Sequence, residues 1–152
     1  MDMDKNLPQN AYKKALIWLG GGHFINDIYT GVLNPIMPFI AAKIGISMAI
    51  ATIILTISHI FSSLLQPLFG FFADNNVKRS FIFWGLILSS LFIPMSAMAN
   101  KPLILVLFII IGSIGSSLFH PQALGFASRF AKYSDVGKAM AVFVAVGNLG
   151  CF

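Results

Sequence analysis

The chain has 152 residues, of which 57% are hydrophobic and 10% charged, with a net charge of +5. Soluble domains carry about a quarter charged residues, so a water-soluble domain is excluded and the class is an all-α integral membrane protein. The ten Lys and Arg stand singly or in pairs between apolar runs, which sets topology and argues against a nucleic-acid partner, and the lone Cys151 offers neither a disulfide framework nor a thiolate metal site within one chain.

Residues 1–14 read as a cytoplasmic N-terminal segment. The apolar stretch that follows Lys13 and Lys14 is too long for a signal peptide and holds His23, Asn26 and Asp27 inside it. Uninterrupted apolar length predicts four membrane spans at 15–42, 48–73, 80–99 and 102–128, each at or above the ~20 residues a bilayer requires. The connections, "KIGIS", "DNNVKR", "NK" and "RFAKYSDVGK", are short, so successive helices are antiparallel neighbours. Lys5, Lys13, Lys14, Lys78, Arg79, Arg129, Lys132 and Lys138 fall on one side and Lys43 and Lys101 on the other, which predicts a cytoplasmic N-terminus in the inner (plasma) membrane. A fifth apolar helix begins at Ala139. Its 14 residues reach only about 21 Å, short of a ~30 Å hydrocarbon core, so 139–152 reads as an incomplete span and the chain as part of something longer.

Polar residues recur at helical spacing within these spans. Gly20, His23, Asp27, Thr30 or Gly31, and Asn34 share a face of the first helix. Thr52, Thr56, His59, Ser63, Gln66 and Gly70 do so in the second, and Gly112, Ser116, His120 and Ala123 in the fourth. The third has no ionisable group and is expected to face lipid while the other three turn toward a common centre. Small residues on such stripes serve close helix packing more often than ligand binding. Asp27 with His23 one turn before it is different, because an intramembrane acid is costly and points to function. Asp27 lies 13 residues beyond Lys14, about 20 Å deep. His23 and His120 each lie nine residues from a basic residue on the same side, Lys14 and Arg129, and so sit level with one another.

The segments "GGHFINDIYTGVLNPIMPFI", "FSSLLQPLFGFFAD" and "GSIGSSLFHPQALGFASRFA" closely resemble the fosmidomycin-resistance branch of the major facilitator superfamily. The resemblance runs from about Leu19 to Gly150 and implies the N-terminal part of a twelve-helix transporter. It also implies export of small, often anionic or amphipathic drugs in exchange for protons by alternating access. Asp27 and His23 would be the proton-linked pair, with Asn26, His59, Gln66 and His120 lining the substrate cavity. The family's loop signature maps onto Gly70, Asp74, Asn75, Val77, Lys78 and Arg79, with Asn75 in place of a basic residue and Val77 in place of a glycine. Gly70, Asp74, Lys78 and Arg79 would then act as a conformational latch against the C-terminal half. Gln122 stands where relatives commonly carry Glu. The implied partners are a small-molecule drug, protons, the lipid bilayer and the remaining half of the transporter; no metal, nucleotide or other cofactor is implied, and no enzyme activity.

Two other classes fit parts of the pattern. A small four-helix exporter working as an oligomer would be expected to carry a Glu in its first helix, and this chain has no Glu. An intramembrane metalloenzyme built on His23, His59, His120 and Asp27 lacks a His-Glu-x-x-His signature.

Overall fold

The computed structural model describes residues 9–75, 79–130 and 136–151. Those residues form five α-helices: α1 (Gln9–Ile44), α2 (Met48–Asn75), α3 (Arg79–Met95), α4 (Pro102–Phe130) and α5 (Val136–Asn148), with short 3₁₀ turns at Ser96–Met98 and Leu149–Cys151. The helices coincide with the five apolar stretches, as 3.6-residue periodicity and the absence of any lipid-tolerable alternative require.

The turn from α1 to α2 is dictated locally. Gly45 has φ of 74°, and the Ile46 amide donates to the Ala41 carbonyl at 3.0 Å, which is the bond that closes a helix whose next residue is left-handed. Ser47 then caps α2, its Oγ accepting from the Ile50 amide at 3.3 Å. Gly45→Ala forces a Cβ into the left-handed region and should cost roughly 1 kcal/mol, read as a lower unfolding midpoint in detergent; an unchanged midpoint would mean the turn relaxes into another form.

By length and composition, three stretches can cross a membrane: Met48–Phe72, Ser80–Met98 and Pro102–Arg129. α1, at 36 residues, is the longest helix yet is not among them. His23, Asn26, Asp27 and Asn34 lower its hydropathy, and the first three of these are buried against protein, so their polarity never meets lipid. The outer faces are apolar, with Trp18, Phe39, Leu64 and Leu103 all well exposed, as lipid contact allows.

Two apolar clusters bracket a polar layer. One joins Leu33, Met37, Ile40 and Ala41 of α1 to Ala51, Ile93, Leu105 and Ile109. The other joins Phe119, Ala123 and Ala127 of α4 to Phe143 of α5, with Leu16 and Leu19 of α1 against it. Because the helices alternate in direction, residues 23–30 of α1 and 113–120 of α4 fall between these clusters.

α3 departs from the expectation that it faces lipid. Its Ser89 and Ile93 are buried, as is Ser96 of the turn that follows, and it crosses α4 closely enough that a Cβ on Gly85 would lie 2.8 Å from the Gly115 carbonyl oxygen. Of its large hydrophobic side chains, Phe83, Trp84 and Leu91 are the exposed ones. The absence of charge in α3 signalled apolar surroundings, and a protein neighbour supplies those as well as lipid does.

Candidate functional site

Asp27 is the centre of a buried polar cluster. Its Oδ2 lies 3.2 Å from His23 Nε2, one turn earlier on α1, and its Oδ1 lies 3.5 Å from His120 Nε2 of α4. His23 and Asp27 are both buried, while Asn26 is fully enclosed. The Asn26 amide nitrogen reaches Asp27 Oδ1 at 3.1 Å, Ser116 Oγ at 3.2 Å and His120 Nε2 at 3.1 Å. Thr30, one turn further along α1, donates its hydroxyl to the Asn26 carbonyl at 3.2 Å. Ser116 and His120 are one turn apart on α4, so two helical repeats of four residues face each other across the α1/α4 contact.

α5 closes the third side. The Phe143 ring stacks on His23 with centroids 4.4 Å apart, and its carbonyl oxygen lies 3.0 Å from His23 Nδ1. A carbonyl only accepts, so Nδ1 carries the hydrogen and Nε2 is the atom turned toward Asp27. Gly147 lets α5 approach: a Cβ there would overlap the His23 ring. The convergence at Asp27 sets a carboxylate against two imidazole nitrogens, which in the neutral rings are lone pairs, and it favours a cation, whether a proton or a metal ion. His23, Asp27 and His120 each offer one ligand atom, and these lie within 4.8 Å of one another, so these three residues could hold a metal ion.

Two clefts border the cluster. One of about 500 Å³ is lined by His23, Gln66, Pro67, His120, Leu124 and Phe143. The other, of about 200 Å³, is lined by Thr30, Ser58, His59, Ser62, Ser116 and His120 among others, and Gln66 and His120 belong to both. His59 is exposed and stands apart from the Asp27 cluster, in the smaller cleft. α2 is tied to α4 by the Ser62 and Ser117 hydroxyls, 2.8 Å apart, and by Gln122 Nε2 donating to the Phe69 carbonyl at 3.3 Å.

The positions expected from the sequence are thus distributed unevenly. His23, Asp27, Asn26 and His120 come together. Asn26 lines neither of these two clefts: it faces Asp27 and is enclosed by its own network. His59 and Gln66 do line clefts. Gly70 does not need to be glycine for α2 to reach α4, since a Cβ there would meet Pro121 Cβ at an ordinary 3.8 Å. Asp74 lies in the last turn of α2 and Arg79 opens α3, but their side chains, like all of Lys78, lie outside the described residues. Phe143 was not foreseen, because an apolar residue acting through its carbonyl and ring face leaves no polar signal. Ser116 was visible on the α4 stripe without an assigned partner.

Comparison with known proteins agrees with this architecture. The model of the Major Facilitator Superfamily matches residues 19–152. The probable nitrate transporter NarT of Staphylococcus epidermidis is 30% identical over 78% of this chain and 30% of its own length. The uncharacterized MFS-type transporter YfnC of Bacillus subtilis is 26% identical over 94% of this chain and 35% of its own. The fosmidomycin resistance protein of Escherichia coli is 30% identical over 84% of this chain and 31% of its own. No solved structure gives a significant match. The chain spans about a third of the length of these relatives. With all-helical architecture, three stretches able to cross a membrane and a match over most of its length, the chain belongs to the Major Facilitator Superfamily, a family of membrane-spanning transporters.

Proposed function

We propose that the chain is the N-terminal part of a proton-coupled exporter of small drugs of the fosmidomycin type, with Asp27 and His23 as the coupling pair. The observation that carries this reading is the buried Asp27 carboxylate, held between His23 at 3.2 Å and His120 at 3.5 Å, beside an open cleft. Charge at such a depth is expensive and is kept where it moves an ion. A proton on the cluster satisfies a lone pair that otherwise faces a carboxylate, and its loss restores a charge that water or substrate must stabilise. His120 belongs to both clefts and to the cluster, so the coupling site and the solute space share a wall.

A cleft of about 500 Å³ lies in the range of drug-sized ligands, and this favours a drug over the much smaller nitrate of one relative's name. His59 and Gln66 contribute polar contacts to the solute, and Asn26 acts on Asp27. The remaining helices of a twelve-helix protein would complete the cavity, with Asp74, Lys78 and Arg79 meeting them as a latch through Gly70's turn of α2. The N-terminus is cytoplasmic and the membrane is the inner membrane, on the distribution of Lys and Arg. Alternating access then exposes the cluster to one side at a time.

The test is drug accumulation in vesicles or cells carrying the full-length protein under an imposed pH gradient, where export that ignores the gradient would end the proton-coupled reading. His120→Ala should reduce export several-fold more than it reduces the amount of folded protein in the membrane. Equal losses of both would assign His120 to packing.

A further inference from the structure

We propose that His23, Asp27 and His120 form a binding site for a divalent d-block ion of the zinc class, a property separate from the identity of the transported solute. The sequence reading implied no metal, and the metalloenzyme alternative spread its ligands over His23, His59, His120 and Asp27. The fold selects three of these four and leaves His59 in the smaller cleft.

The hydrogen-bond roles carry the proposal. Phe143's carbonyl takes the Nδ1 hydrogen of His23, which turns Nε2, a lone pair in the neutral ring, toward Asp27 Oδ2. The Asn26 amide nitrogen, a donor, stands at 3.1 Å from His120 Nε2, so that nitrogen too presents a lone pair. Two imidazole lone pairs and a carboxylate therefore converge, and a single proton serves only one edge of the triangle. A metal ion serves all three.

Ligands about 2.0–2.1 Å from a tetrahedral centre are separated by about 3.3 Å from one another. His23 Nε2 lies 3.2 Å from Asp27 Oδ2, His120 Nε2 lies 3.5 Å from Asp27 Oδ1, and the three ligand atoms lie within 4.8 Å of one another, so small side-chain shifts would seat the ion. A histidine ligand characteristically donates its other ring nitrogen to a carbonyl or carboxylate, which fixes the tautomer; Phe143 supplies this for His23. A fourth donor is at hand. Asn26 Oδ1 is a buried oxygen with no hydrogen-bond partner among the described residues, and half a turn of the amide brings it to where Nδ2 now meets Asp27 and His120. Imidazole with carboxylate selects zinc, cobalt or nickel over magnesium or calcium. The 500 Å³ cleft, lined by both His23 and His120, gives the ion a way in. Once seated, it would tie α1 to α4 at the polar layer.

The experiment is Co²⁺ titration of the full-length protein in lipid nanodiscs, stripped with chelator and carrying Cys151→Ser so that this exposed thiol does not compete. The expected result is an intense tetrahedral visible spectrum that saturates at one ion per chain and is displaced by Zn²⁺. His23→Ala and His120→Ala should each weaken binding by at least about tenfold. Because either variant could fold poorly, His120→Cys serves as the second arm: in protein that remains monodisperse it should bind Co²⁺ and add a thiolate-to-cobalt charge-transfer band. A pale octahedral spectrum, binding indifferent to both histidines, or a folded His120→Cys protein without the new band would overturn the site. The readout is independent of transport, so its failure leaves the exporter reading standing, and loss of export in an assay leaves the metal site standing.

Discussion

On the proposed proton-coupled reading, Asp27→Asn in the full-length protein should bring export driven by a pH gradient down to the level of an empty-vector strain while leaving membrane insertion and abundance unchanged. The asparagine is the same size, and its amide can donate to His23 Nε2, which faces it at 3.2 Å in the native arrangement. A hydrogen bond to His23 is therefore available in the variant and the ionisable group is gone. The remaining contacts of the layer, Asn26 with Ser116 and His23 with Phe143, do not depend on the charge. This separates a functional carboxylate from a structural one. Removing one partner of a buried ion pair by truncation is strongly destabilising, about 3–5 kcal/mol, whereas this replacement leaves no unpaired charge behind. The measurement is drug accumulation under an imposed pH gradient, alongside quantification of protein in the membrane fraction. Normal export by the variant would remove Asp27 from the coupling mechanism.

Gly115→Val should have the largest effect on stability. A Cβ at Gly115 would stand 2.6 Å from the Ser89 amide nitrogen and 2.7 Å from the Gly85 carbonyl oxygen. Both are backbone atoms of α3, so no rotamer change makes room. α3 must move away, and in a bilayer, where helices associate through dispersion contacts and not by expulsion of water, separation forfeits the packing that holds them. Overpacking of this kind costs about 1–3 kcal/mol where side chains can give, and backbone contact puts this site at the upper end or beyond. The unfolding midpoint in detergent should fall well below that of the native protein. Gly70→Ala is the control, because its new methyl meets Pro121 at an ordinary 3.8 Å and should leave the midpoint unchanged. A native midpoint for Gly115→Val would mean that α3 and α4 do not cross at these glycines.

The contrast between Gly70 and Gly115 illustrates what a sequence withholds. Both stand in apolar helices, and the resemblance drew attention to Gly70 as part of the latch, yet the tight α3/α4 crossing is at Gly85 and Gly115. Glycine marks a place where backbones can meet, but the rotation of each helix about its axis decides whether they do. The same holds for the α2 stripe. Periodicity placed Thr52, Thr56, His59, Ser63, Gln66 and Gly70 on one face; the first four are exposed and the last two half-buried, while Ser62, off that stripe, meets Ser117 of α4.

Composition and apolar run lengths alone determined the all-α membrane class, because lipid leaves the backbone no option but to satisfy itself within each segment. The pairing of His23 with Asp27 was equally legible, since four residues of helix bring two side chains onto one face whatever surrounds them. The tertiary structure decided everything that crosses between helices. It set His120 and Ser116 against Asp27 and Asn26, left His59 outside, buried one face of α3, and brought Phe143 over His23 through a carbonyl that every residue possesses. Those contacts depend on helix rotation and depth, and these follow from the packing of all the faces together, which no single helix's periodicity encodes.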